Sequence, residues 1–96
     1  MILKKYKKEI IDIIHKYLPD TKIYLFGSRA RSSHQTGADV DLAFDIGKKI
    51  DERNLLKIKD EIEETNMPLF VDLVDLHSCS QDFIDEINKD WILWES

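Results

Sequence analysis

Apolar side chains at Leu3, Tyr6, Ile10, Ile13, Ile14, Tyr17 and Leu18 recur at intervals of three and four, which lays one apolar stripe along a first helix. Pro19-Asp20 stops it. Ile23 to Phe26 is short, rich in β-formers and runs straight into Gly27-Ser28, so a buried strand ends on a glycine turn, with a short helix expected behind it. From Ser32 to Ala38 no aliphatic side chain exceeds alanine, the composition of an exposed loop. Asp39-Val40-Asp41-Leu42-Ala43-Phe44 then alternates strictly, with Val40, Leu42 and Phe44 on one face of a strand and Asp39, Asp41 and Ala43 on the other. Leu55, Ile58 and Ile62 return to helical spacing behind Asp51 as cap, and Pro68 marks the exit before a strand from Leu69 to Asp75. Phe83, Ile84 and Ile87 give a last helix, with Ser78 and Gln81 at capping-box spacing ahead of it. Trp91-Ile92-Leu93-Trp94 follows as an apolar tail, either packed on the core or offered as a contact surface.

This order of elements predicts an α/β (α+β) fold, one small mixed sheet of about three strands flanked by helices. The chain has 96 residues, room for a single domain over 1–96, because a chain of this length buries only roughly 60 to 65% of its unfolded surface. With 43% hydrophobic and 34% charged residues it reads as an ordinary soluble domain rather than a disordered or fibrous one. The longest apolar runs, Ile23–Phe26 and Trp91–Trp94, fall far short of the ~20 residues that span a bilayer, and lysines interrupt the start before a secretory stretch can form. A cytoplasmic protein is expected. Cys79 is the only cysteine, which excludes an intrachain disulfide and a multi-cysteine zinc cluster. Fourteen basic against 19 acidic residues give a net charge of -5, which opposes extended contact with a phosphate backbone, so nucleic-acid binding is not expected. The one basic cluster, Lys4, Lys5, Lys7 and Lys8, spreads around the first helix, and Lys8 stands four residues before Asp12.

The candidate chemistry lies in three aspartates and a turn. Carboxylates at Asp39 and Asp41 share a strand face roughly 6.5 to 7 Å apart, close enough for both to converge on one divalent cation. Asp72 interrupts Leu69-Phe70-Val71-Asp72-Leu73-Val74, a run otherwise apolar enough for a central strand, where a carboxylate is costly unless something satisfies it. If the two strands are neighbours, three carboxylates meet on one face and repel unless a cation separates them. Magnesium suits such hard oxygen ligands. Asp75, at the strand end, is expected to cap or to face solvent. Gly27-Ser28 offers backbone N–H groups and a hydroxyl at the start of a helix, where phosphate binds well. A phosphate site facing a metal site is what nucleotidyl transfer needs.

Gly27-Ser28-Arg29-Ala30-Arg31, then Asp39-Val40-Asp41 with ten residues intervening after Ser28, and later Val71-Asp72-Leu73-Val74-Asp75-Leu76 together resemble the minimal nucleotidyltransferases of the DNA polymerase β superfamily. The pattern looks like the small antitoxin type that is paired with a HEPN-domain toxin. The resemblance implies that Asp39, Asp41 and Asp72 hold two Mg2+ ions, with Asp72 also helping to deprotonate the attacking hydroxyl. It implies that Gly27 and Ser28 hold the triphosphate of ATP, with Arg29 or Arg31 adding positive charge. Two features depart from the family: Ser32 replaces a usual glycine, and Ala38 stands where a small hydroxyl residue is common. The implied activity is transfer of AMP from ATP to a hydroxyl of a HEPN partner. The alternative is a binding module of the same fold that neutralises that partner by contact alone.

Overall fold

The computed structural model describes residues 2–30 and 39–95. Helix α1 (Ile2–Tyr17) leads into strand β1 (Lys22–Phe26); β2 (Val40–Asp45), α2 (Glu52–Glu64) and β3 (Val71–Asp75) follow. A single 3-10 turn (Leu76–Ser78), helix α3 (Gln81–Ile87) and strand β4 (Ile92–Glu95) complete the order. The strands form one mixed sheet in the order β3-β2-β1-β4. β1 runs antiparallel to both β2 and β4, and β2 runs parallel to β3.

Alternation along the strands sorts the core into two layers. On one face Ile23, Leu25, Val40, Leu42, Phe44 and Val71 pack under Ile10, Ile14 and Leu18 from α1 and its exit and Ile58 and Ile62 from α2. On the other face Phe26, Ala43 and Leu76 are covered by Ile84, Ile87 and Trp91 around the shorter α3. Asp51 caps α2 as its position suggests, its side chain accepting the N–H of Arg53 at 2.9 Å. Lys8 and Asp12 pair on the surface of α1 at 2.9 Å.

Four expectations from the sequence are corrected. The sheet has four strands rather than about three, because the apolar tail is an edge strand paired with Ile23 to Leu25 of β1. The cap of α3 is Ser80, whose hydroxyl accepts the Phe83 N–H at 3.2 Å; Ser78 instead donates to Asp75. β3 lies at the edge of the sheet, not its centre, and Asp72 is exposed there, so its carboxylate does not incur the burial cost that a central strand would impose. Asp75 does cap, accepting the His77 N–H at 3.0 Å, but it is buried and faces inward, where it also takes the Ile50 N–H at 2.8 Å. The short helix expected behind Gly27-Ser28 begins as a turn over residues 28–30, and whatever follows to residue 38, including Arg31, Ser32, His34 and Ala38, lies outside the described residues.

Candidate active site

The register of β1, β2 and β3 fixes the site. Phe26 of β1 pairs with Asp41 of β2, and Asp41 pairs with Asp72 of β3. Phe26, Asp41 and Asp72 therefore form one row across the sheet at about 4.8 Å per strand, all on the α3 side. One row deeper on the same face stand Tyr24, Ala43 and Val74, which are apolar and packed. Asp41 is half-buried and Asp72 exposed, so the row opens from wall to solvent toward β3.

Asp39 precedes β2 and is exposed, and the next residue's N–H, that of Val40, binds the Phe70 carbonyl at 2.9 Å, holding the start of β2 against β3. Asp39 is thus one step from the row and two residues from Asp41. The structure brings Asp41 and Asp72 side by side and keeps Asp39 next to them. Among the described residues no three carboxylate, imidazole or thiolate side chains are gathered at metal-ligand distance.

The Gly-Ser turn is built against this row. Gly27 leaves β1 directly after Phe26 with φ +76, in the left-handed region that glycine enters at little cost. Its carbonyl accepts the Ala30 N–H at 3.1 Å, closing a tight turn through Ser28 and Arg29. A Cβ on Gly27 would lie 2.4 Å from Asp41 Oδ2. Only a residue without a side chain lets the turn lie this close to the Asp41 carboxylate, so the phosphate-type turn and the acidic row are one site rather than two. Hard oxygen donors on adjacent strands, with a glycine turn in contact with one of them, fit a divalent cation bound together with a phosphate. Ser28 and Arg29 are half-buried in the turn.

Volume alone points elsewhere, to a groove of about 850 Å³ between α1 and α2 whose walls include Lys5, Lys8, Asp12, Lys16, Glu61 and Glu64. That groove is a charged seam in which Lys16 reaches Glu61 at 2.8 Å and the Tyr17 hydroxyl donates to the same carboxylate. At the far end of β2, the Gly47 N–H and then His77 Nε2, at 2.8 and 2.7 Å, hold the Asp45 carboxyl below its ordinary range. Burial, and then the nearby Asp75, push the Cys79 thiol up, which makes it a poor nucleophile. Phe83, whose helical spacing with Ile84 and Ile87 suggests core, is instead 40% exposed, with its ring beside Phe26.

A small mixed sheet with carboxylates on two neighbouring strands, and a strand–Gly-Ser turn laid against one of them, defines a nucleotidyltransferase fold. Residues 8–95 match the family model "Polymerase beta, Nucleotidyltransferase", and the chain belongs to that family. It is 30% identical over 81 residues to a probable protein adenylyltransferase, MntA, of Haemophilus influenzae, which covers 84% of this chain and 71% of that protein. A toxin–antitoxin crystal structure with AMP-PNP superposes with a TM-score of 0.77 at 24% identity, covering 92% of this chain and 71% of that one. A tri-AMPylated Shewanella oneidensis HEPN toxin in complex with its MNT antitoxin gives a TM-score of 0.74 at 23% identity, covering 98% of this chain and 71% of that one. At these identities the structural likeness is one of fold.

Proposed function

We propose that this chain transfers AMP from ATP to a hydroxyl of a partner protein, and that the partner is a HEPN-domain toxin for which it is the antitoxin. The observation that carries the chemistry is the register pair Asp41–Asp72 with Gly27 packed against Asp41. The identity of the acceptor is supported by the likeness to the Haemophilus influenzae protein adenylyltransferase and by the HEPN–MNT complex among the solved structures of this fold. The AMP-PNP in another such structure supports ATP as donor. ATP chemistry on a partner protein fits a cytoplasmic location, and no described helix is long and apolar enough to cross a membrane.

In this reading Asp39, Asp41 and Asp72 hold two Mg2+ ions. When bound, these ions neutralise the row of carboxylates and polarise the α-phosphate for in-line displacement. The Gly27-Ser28 turn binds the β- and γ-phosphates through backbone N–H groups and the Ser28 hydroxyl, with Arg29 and Arg31 adding charge. Asp72, exposed on the edge strand, is the carboxylate an incoming hydroxyl meets first, and it accepts the proton as the hydroxyl oxygen attacks phosphorus. Pyrophosphate leaves on the opposite side, over the Gly-Ser turn.

The test is intact-mass measurement of the co-expressed HEPN partner. Wild type adds one or more AMP units, and a variant carrying Asp39→Asn and Asp41→Asn adds none and no longer neutralises the toxin. Neutralisation retained by the unmodifying variant would replace catalysis with contact.

A further inference from the structure

One aromatic ring beside the acidic row takes no part in the reaction described above. Phe83 lies in the first turn of α3, its N–H held by Ser80 Oγ at 3.2 Å, and its ring stands edge-on to Phe26 with centroids 6.1 Å apart and planes at 90°. Phe26 is 8% exposed and Phe83 is 40% exposed, so Phe26 is the buried support and Phe83 the accessible ring. Phe26 is the register partner of Asp41 and the residue before Gly27, which places Phe83 next to both the acidic row and the phosphate-type turn. One row deeper, Tyr24 and Trp91 stack at 4.1 Å and 19° and fill that part of the face. A ligand over the Phe26–Asp41–Asp72 row therefore meets a floor of strand, a closed end at Tyr24–Trp91 and an aromatic wall at Phe83.

The two ends of the row differ in what they can receive. Asp72 is at the outer strand, where the acceptor hydroxyl enters, while Phe83 is on the β1 side, with the Gly-Ser turn. The nucleoside is carried on the same triphosphate as the phosphates held by the turn, and the exposed Phe83 ring beside that turn offers a surface on which a base can stack. We propose that Phe83 is the platform on which the nucleobase of the triphosphate stacks, an inference that rests on the adenylyltransferase reading. A phenyl ring offers a π-face and no hydrogen-bonding edge, so this platform grips purines without reading their exocyclic groups. Weak discrimination between ATP and GTP in binding follows.

Calorimetric titration of Mg-ATP and of magnesium tripolyphosphate into wild type, Phe83→Ala, Phe83→Leu and Phe83→Trp tests this, with thermal melts alongside. Phe83→Leu keeps an apolar side chain against Phe26 and removes only the π-face. Both Ala and Leu variants should bind ATP roughly 5- to 150-fold more weakly, the range for loss of one base–aromatic stack, while tripolyphosphate binds as to wild type and Trp restores ATP affinity. ATP affinity unchanged in Phe83→Leu, or tripolyphosphate lost in parallel with ATP, would overturn the platform and leave the ring a packing residue. Wild type that binds neither ligand would overturn the nucleotidyltransferase reading itself, an outcome distinct from the other two.

Discussion

Gly27→Ala isolates the contact on which the site depends. Among the described residues two glycines have positive φ, Gly27 at 76 and Gly47 at 82, and alanine in the left-handed region costs roughly 1–2 kcal/mol at either. For a chain of this size that cost lowers Tm by roughly 4 to 16 °C. The two differ in what the new methyl meets. At Gly47 nothing lies within 4 Å, whereas at Gly27 the Cβ falls 2.4 Å from Asp41 Oδ2 and 3.3 Å from its Cγ. Ordinary contact begins near 3.4 Å, so the Asp41 carboxylate must retreat by about 1 Å, and a displacement of that size at a reacting centre costs on the order of 10²-fold in rate. The expected result is a similar loss of Tm in Gly27→Ala and Gly47→Ala by circular dichroism. The initial rate of AMP incorporation into the partner, followed by intact mass, should stay within about threefold of wild type for Gly47→Ala and fall on the order of 10²-fold for Gly27→Ala. Equal rates in the two variants would refute the coupling of turn and carboxylate.

Asp75→Ala strips the buried Ile50 N–H and the Ser78 hydroxyl of their shared acceptor, 2.8 and 3.0 Å away, and should cost about 2–4 kcal/mol by urea denaturation; a loss under about 1 kcal/mol would show that water or a neighbour replaces the carboxylate. Asp45 is held below its ordinary pKa by the Gly47 N–H and by His77, so its folded-state contribution is present above the unfolded value of about 3.9 and is lost as pH falls through the lower folded value. Asp45→Asn should therefore be less stable than wild type near neutrality and converge with it in acid, and a gap in Tm that stays constant from pH 7 to pH 2 would contradict that assignment.

Most of the architecture is legible in local pattern. The strict alternation from Asp39 to Phe44 reports both the strand and the face on which its carboxylates lie, because a half-buried strand has no other way to satisfy period two. Asp51 is readable as a cap because its partner is two residues away. What escapes the sequence depends on distant partners. Trp91 to Trp94 carries no alternation, since Ile92 and Leu93 are exposed at an edge and only pairing with β1 makes them a strand. Asp75 looks like an ordinary terminal acid until Ile50, 25 residues earlier, is seen to donate to it. The run from Leu69 to Val74 resembles a central strand by hydropathy although, among the described residues, β2 is its one strand neighbour and its other edge is unpaired by any strand. The site aspartates and the Gly-Ser turn are legible as a spacing; their assembly into one row is a property of register.

The edge position of β3 gives Asp72 a second role. It is the only charged side chain between Leu69 and Val74, on a strand that ends the sheet and follows a Phe70 that is 78% exposed. Apolar edge strands of this kind invite pairing with strands of other molecules, and a central charge is the usual guard against it. The carboxylate suited to receiving a substrate proton is therefore also the gatekeeper that keeps this edge from seeding aggregates. In the proposed reaction, proton acceptance and protection of this edge rest on the same atoms, so removing the charge would bear on both at once.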